Sequence, residues 1–302
     1  MMNTVRSAHE KEKHTSATKN RTQLTEPLPV TEHQLNIAGI STAVLMGGEG
    51  TPVILLHGPG ESSVWWMRVI PKLIKNNRLI VPDLPGHGES RVDKESLDTG
   101  LVFGWLSDLI NQTCPSPPIL AGNILGGSIG ARFAIEHGNQ ISRLVLVNSL
   151  GLGKFRPKPS FAFNLFRFML WPTEKNFSRF FPHCMYDVDT LRQSMGKYWD
   201  PFVAYNLECA RDKERSDALQ FMMKKLGIPK IPDKELREIN VPTALIWGRH
   251  DKANKLNIAE AASKKYGWPL QIIEKTRDDP KLERPEAFVD ALYSIINHMP
   301  TP

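Results

Sequence analysis

Two aspartates and two small-residue turns are the parts of this 302-residue chain that could take part in chemistry. Asp251 and Asp278 lie in polar stretches, where a carboxylate can accept a proton or stabilise a neighbouring cation. The turns at residues 58–60 and 122–126 are rich in glycine. Backbone N–H groups in such turns can hold an oxyanion. Together, these residue types indicate a site for nucleophilic or acid–base chemistry.

The second turn contains the most informative residue. Residues 118–127 read Pro-Ile-Leu-Ala-Gly-Asn-Ile-Leu-Gly-Gly, an apolar strand that runs through a small-residue turn into a helix. This is the layout of a nucleophile elbow, G-x-S-x-G, in which Ser stands on the turn. Here the central residue is Ile124, which has no nucleophilic atom. We expect Ile124 to occupy the turn and face a pocket, although a β-branched residue fits a positive φ poorly.

Apolar runs of strand length must position these turns and carboxylates. They alternate with helical patterns up to about residue 150, which predicts βαβ units and a parallel sheet. The four clearest runs are residues 53–56, 79–82, 144–147 and 243–247. Residues 34–46 favour two further short strands around a glycine turn.

In the order and spacing of these motifs, the chain resembles the α/β-hydrolase superfamily, within the branch of esterases, epoxide hydrolases and carbon–carbon bond hydrolases. The resemblance covers roughly residues 30–298. It implies an α/β fold with a mostly parallel, roughly eight-stranded sheet flanked by helices, and an inserted helical cap. We expect the core at residues 29–151 and 238–302 and the cap at residues 152–237. Residues 1–28 are polar and predict a disordered tail.

The resemblance assigns catalytic roles to positions that this chain has altered. The nucleophile position is occupied by Ile124. The catalytic base, the His of G-H-x-P-x-x-E-x-P, falls on Asp278, and a carboxylate is a far weaker base than imidazole at neutral pH. Asp251 matches the triad acid, which orients the imidazole. The candidate catalytic residues are therefore Asp251 and Asp278.

The oxyanion hole implied by the resemblance is altered too. One donor should be the backbone N–H just after Gly58, but Pro59 at that position has no N–H. Gly60 could replace it if the loop shifts, and the Leu125 N–H should remain available. The expected oxyanion and pocket residues are Gly58, Pro59, Gly60, Ile124 and Leu125.

Another reading of the elbow keeps a serine nucleophile. Residues 126–130 satisfy G-x-S-x-G literally through Ser128. However, the apolar strand ends near Ala121, which leaves Ser128 a full turn into the helix. Three histidines lie in or beside the motifs. We expect His57 and His87 to make structural hydrogen bonds, and His250 is a less favoured candidate for the base.

Composition excludes several other classes of protein. The net charge of +6 is spread along the chain and shows no nucleic-acid footprint. Cys114, Cys184 and Cys209 are far apart, so we expect neither disulfides nor a metal site, and a reducing cytoplasmic location. No apolar run reaches the length of a membrane span, so stable membrane insertion is not expected. No cofactor is indicated.

Three functions remain open. The loss of Ser, His and one oxyanion donor favours a pseudoenzyme that binds a small hydrophobic molecule without hydrolysing it. The second hypothesis is a carboxylate-based lyase or isomerase, in which Asp251 and Asp278 lie close enough to raise one pKa. The third is a conventional hydrolase of small ester or carbon–carbon substrates whose nucleophile lies elsewhere.

Overall fold

An eight-stranded sheet forms the centre of the computed structural model, which describes residues 19–92 and 97–298. Its order is β1-β2-β4-β3-β5-β6-β7-β8. The pairs β1–β2 and β2–β4 are antiparallel, and the other five pairs are parallel. The predicted mostly parallel α/β sheet is therefore confirmed. The strands are β1 Thr31–Ile37, β2 Ile40–Gly47, β3 Thr51–Leu56, β4 Asn77–Pro82, β5 Ile119–Asn123, β6 Arg143–Val147, β7 Thr243–Gly248 and β8 Leu270–Ile273.

Helices cover both faces of the sheet, which is why its central strands are apolar on both sides. Successive strand residues point to opposite faces. In β3, Ile54 and Leu56 pack in one core, and Val53 and Leu55 pack in the other. The first core is closed by α3 Thr99–Thr113, α4 Leu125–His137 and α11 Leu256–Tyr266, and the second by α2 Ile70–Leu73 and α13 Pro285–His298.

A helical insertion joins β6 to β7. The expected cap, residues 152–237, is described throughout and contains helices but no strand. Its buried aromatic cluster includes Phe177, Phe181 and Phe202, and it also packs on Trp65 from the core. The helices are α5 Pro159–Leu170, α6 Glu174–Cys184, α7 Val188–Met195, α8 Trp199–Arg211, α9 Lys213–Met222 and α10 Asp233–Leu236. Among the described residues, no helix is long and apolar enough to cross a membrane.

The expectation of a disordered tail over residues 1–28 is wrong for its last third. Residues 1–18 lie outside the described residues, but residues 19–25 form helix α1. Leu24 is fully buried against the aromatic cluster of the insertion. Composition suggested disorder because the segment has few apolar residues, whereas its order comes from contacts with distant parts of the chain.

The main contact is made by Arg21, whose guanidinium is buried among polar groups. Its Nη1 lies 3.1 Å from Asp83 Oδ2, in the loop after β4. Burial alone would raise the pKa of Asp83, but the Arg21 charge and backbone N–H donors hold it below its usual range. Arg21 also donates to Glu32 Oε1, Tyr205 Oη and Ser63 Oγ, at 2.8, 2.9 and 3.0 Å. One side chain thus links α1, β1, the core and the insertion.

We expect Arg21→Ala to lower the free energy of unfolding by about 3–5 kcal/mol, because it leaves the buried Asp83 carboxylate without its cation. Urea or thermal unfolding at pH 7 would measure this loss. The matched control is Lys19→Ala on the same helix, since Lys19 is exposed and should change stability by less than about 0.5 kcal/mol. Equal effects of the two variants would contradict the role given to Arg21.

Candidate functional site

A cavity of about 510 Å³ lies between the helical insertion and the carboxyl ends of the parallel strands. Loops that follow β3, β5, β7 and β8 contribute Pro59, Ile124, Asp251 and Asp278 to its walls. Ligands of open α/β sheets bind at this edge. The structure therefore brings most of the predicted site residues to one cavity.

The insertion supplies most of the apolar wall of this cavity. Aromatic side chains of α5 and α6 line it, together with Met169, Met185 and Leu219. The aromatic residues of these two helices that reach the cavity are Phe161, Phe168, Phe177, Phe180 and Phe181. Other aromatic residues of the insertion, such as Phe163 and Phe166, point to solvent and are 59% exposed. Only part of the aromatic pattern in the sequence therefore concerns the pocket.

Ile124 stands on the sharp turn between β5 and α4, with φ 47° and ψ −97°. Its N–H donates to Val147 O at 2.9 Å, and its carbonyl accepts from the Leu150 N–H at 3.1 Å. A β-branched residue held at positive φ costs about 1–3 kcal/mol. The turn therefore has the backbone conformation of a nucleophile elbow and carries a side chain that cannot act as one.

Glycines leave the chain little freedom at this turn. A Cβ added to Gly122 would lie 2.3 Å from the Gly126 carbonyl carbon, and one added to Gly126 would lie 2.5 Å from Leu56 O. Both distances are well inside van der Waals contact. Strand β5, the turn and α4 are packed too closely for other residues here, so the surrounding packing holds Ile124 in its strained conformation.

Ser128, the alternative nucleophile, lies inside α4 and is fully buried. Its Oγ donates to Leu226 O at 2.6 Å, in the π-helical turn Met223–Gly227 of the insertion. It is absent from the residues that line the cavity. The hydroxyl therefore links α4 to the insertion by a hydrogen bond. The structure gives no support to Ser128 as a nucleophile.

The loop after β3 has a proline, which carries no N–H, at the position where the resemblance expects an oxyanion donor. Pro59 and Gly60 both line the cavity, and Gly60 has a φ of 70°. The Gly58 N–H is already used, because it donates to Glu61 Oε2 at 2.8 Å. Leu125 is the first residue of α4, so its N–H has no acceptor within the helix. One of the two expected oxyanion donors is therefore present.

Asp251 is buried in a set of hydrogen bonds that fix its loop. Its Oδ2 accepts from Asn148 Nδ2 at 2.7 Å, and its Oδ1 accepts from the N–H groups of Ala253 and Asn254 at 2.8 and 2.7 Å. Burial outweighs these donors and raises the pKa of Asp251 to about 6. No imidazole is among these partners, so the carboxylate now organises the loop instead.

Asp278 lies beside Asp251 at the cavity. Burial, and then the charges of Asp251 and Asp279, raise the pKa of Asp278 well above its usual range. Within residues 19–92 and 97–298, its Oδ1 has no hydrogen-bond partner. The structure thus places the two predicted carboxylates together, where burial and neighbouring charges favour the protonated form of Asp278.

The sequence did not predict the buried lysine that lies near Asp278. Lys281 is fully buried, with its Nζ bonded to Asp279 Oδ1 and 3.2 Å from Glu61 Oε2. The same ammonium lies 5.0 Å from the centre of the Trp66 ring, a cation–π contact. Burial alone would lower the pKa of Lys281, but the two carboxylates raise it. Because Glu61 is 220 positions away, no local pattern could have revealed this pair.

His57 and His87 are buried, whereas His250 is exposed. His57 donates from Nδ1 to Gly58 O at 2.8 Å and accepts the Leu84 N–H at Nε2, at 3.0 Å. Burial lowers the pKa of His57 to about 3 and that of His87 to about 4. His87 lines the cavity, whereas the exposed His250 packs on Tyr186 away from it. None of the three takes the place of the missing base.

The family model of the α/β-hydrolase fold matches residues 51–280. The chain belongs to this family. It is 25% identical to the 2-hydroxy-6-oxo-6-(2'-aminophenyl)hexa-2,4-dienoic acid hydrolase of Metapseudomonas resinovorans, over 88% of this chain and 91% of that protein. It is 28% identical to an uncharacterized protein of Mycobacterium tuberculosis strain H37Rv, but the match spans only 46% of this chain and 41% of that protein.

Solved structures share the fold over most of the chain. The 2-hydroxy-6-oxo-6-phenylhexa-2,4-dienoate hydrolase of Rhodococcus sp. strain RHA1 superposes with a TM-score of 0.78 at 22% identity, covering 89% of this chain and 99% of that chain. A bacterial membrane phospholipase A superposes with a TM-score of 0.77 at 23% identity, covering 98% and 95%. At these identities, the comparison establishes the fold alone.

We expect the pair Ile124→Ser and Asp278→His to produce weak esterase activity, because it supplies a nucleophile and a base beside Asp251. Adding Pro59→Gly should raise the rate about 10²–10³-fold, the usual contribution of one oxyanion donor. Ile124→Ser alone should stay at background, since its hydroxyl would lack a base. The measurement is kcat/KM on p-nitrophenyl acetate. A single variant as active as the triple variant would show that Asp278 does not occupy the base position.

We also expect Asp278→Asn to stabilise the protein more at pH 8 than at pH 5. A carboxyl whose pKa is raised in the folded state loses stability as the pH rises through that pKa, and Asn cannot ionise. Melting temperatures of variant and wild type between pH 5 and 8 would show the gap widening. The exposed Asp290→Asn is the matched control and should show no such trend. A gap that stays constant with pH would contradict the prediction.

Proposed function

We propose that this protein binds a small hydrophobic molecule in its cavity and does not hydrolyse it. The observation that carries the proposal is Ile124 on the elbow, at the cavity wall. In a family whose nucleophile stands on this turn, an aliphatic side chain there removes the covalent step and adds apolar surface to the pocket.

Two further changes support the absence of hydrolysis. Asp278 stands where the resemblance expects the imidazole base, and a carboxyl is a much weaker base than imidazole for withdrawing a proton from a hydroxyl. Pro59 removes an oxyanion donor, which is worth about 3–4 kcal/mol of transition-state stabilisation. The relatives named as hydrolases of aryl-substituted hexadienoic acids suggest a ligand with an aromatic or extended apolar body, which suits the aromatic wall.

One observation favours a second candidate function, acid–base catalysis by the carboxylate pair. Asp251 and Asp278 interact, and raised pKa values allow one carboxyl to act as an acid while the other is ionised. Such a pair suits an isomerase or lyase. It would predict turnover that is lost in Asp278→Asn, whereas a binding protein would show no turnover in either form.

Binding and catalysis can be tested together. We expect Nile red, a neutral apolar dye, to bind with a stoichiometry of one, while fluorophosphonate labelling and p-nitrophenyl acetate hydrolysis stay at the level of heat-denatured protein. Ala210→Trp, on the cavity wall, should abolish dye binding, and the exposed Ala261→Trp should not. Ala253→Phe fills the cavity from a different loop. It repeats the test in case Ala210→Trp fails to fold. Stoichiometric fluorophosphonate labelling, or dye binding that both filling variants leave intact, would overturn the proposal.

A further inference from the structure

Four carboxyl groups meet in one region of the mostly apolar cavity. They all line it, and the side chains that carry them are at most 7% exposed. The charges of the other three raise the pKa of Asp278, which shows that the four groups lie close together. The four residues are Glu61, Asp251, Asp278 and Asp279. Acidic groups at this depth need compensation, because burying an unpaired charge is costly.

The compensation within the protein is incomplete. In the part of the chain that the structure describes, Lys281 is the cation in contact with this group, and its ammonium bonds to Glu61 and Asp279. Over the same residues, Asp251 has three hydrogen-bond donors and no paired cation. Asp278 Oδ1 and Asp279 Oδ2 have no hydrogen-bond partner among them. Two buried acceptor oxygens, on residues that line the cavity, are therefore unpaired.

The other charged and titratable groups nearby do not supply the missing positive charge. Burial and neighbouring carboxylates raise the pKa of the Cys184 thiol, which contacts Asp278 and so stays neutral. Glu283 adds a further acid and is held by the backbone N–H groups of Arg277 and Tyr186. Arg215, on the cavity wall, pairs with Glu89 at 3.2 Å.

We propose that the ligand is a hydrophobic amine, whose protonated head donates to Asp278 Oδ1 and Asp279 Oδ2 while its apolar body lies against the aromatic wall. An ammonium supplies up to three N–H donors and one positive charge. A hydroxyl head supplies one donor and no charge, and a carboxylate head would add another negative charge to the cluster. The inference rests on the proposed binding function and names its ligand class.

Amine binding should release protons. In the free protein, burial raises the pKa of Asp251 to about 6 and also raises the pKa values of Asp278 and Asp279, so these carboxyls ionise at higher pH than a free aspartate. An ammonium favours the ionised forms, so its affinity should rise between pH 5 and 8, whereas the affinity of a neutral analogue should stay flat. This dependence separates an electrostatic head-group site from simple apolar binding.

The test uses three ligands of similar shape as competitors for bound Nile red: 2-(1-naphthyl)ethylamine, 2-(1-naphthyl)ethanol and 1-naphthaleneacetate. At pH 7.5 we expect the amine to bind about tenfold more tightly than the alcohol, as a charge-assisted hydrogen bond allows, and the acid to bind most weakly. Asp278→Asn should lower the affinity of the amine to that of the alcohol. The exposed Asp290→Asn should keep the preference for the amine.

A second measurement needs no variant. Calorimetry in two buffers of different ionisation enthalpy should show proton release when the amine binds the wild type, and none when the alcohol binds. If dye and alcohol bind but the amine has no advantage, or no protons are released, the amine inference is wrong while the binding function stands. If neither dye nor naphthyl ligand binds, both proposals fail.

Discussion

The tight packing of β5 against α4 is the constraint on which the rest of the cavity depends. Gly122 and Gly126 allow the two elements to meet almost in van der Waals contact, and the chain between them has room only for a sharp turn. That turn holds Ile124 at a positive φ of 47°. The elbow conformation is therefore compatible with an aliphatic side chain at its centre. Backbone strain at this position is a cost of the fold and is not itself evidence of catalysis.

Buried charges play a second structural part, away from the elbow. Arg21 joins α1 to Asp83 in the core and to Tyr205 in the insertion. Lys281, in the short helix that follows the loop after β8, is bonded to Glu61 in the loop after β3. Each cation links segments that are far apart in the sequence, and each is costly to bury unless its partners are in place. Through Tyr205, Arg21 also connects the insertion to the core.

Structural features that depend on a local sequence pattern could be predicted. Buried strands such as β3 and β5 appear as apolar runs, and the small residues at 122–127 mark the elbow, so the sheet and the position of Ile124 could be predicted. The order of α1 could not, because Arg21 finds its partners up to 184 positions away. The Lys281 cluster was missed for the same reason. In the sequence, a charged residue beside Pro280 is typical of a surface turn. Only the fold shows that Glu61 lies next to Lys281.

The residues at the positions expected for the nucleophile and the base give the cavity two different ends. Asp278 adds a carboxyl to a region that already contains Asp251 and Asp279. Ile124 adds an aliphatic side chain to the cavity wall. Together they sharpen the contrast between the apolar wall and the acidic end. The proposed amine follows from this contrast, because recognition of an amphiphilic molecule needs the two ends of its site to differ.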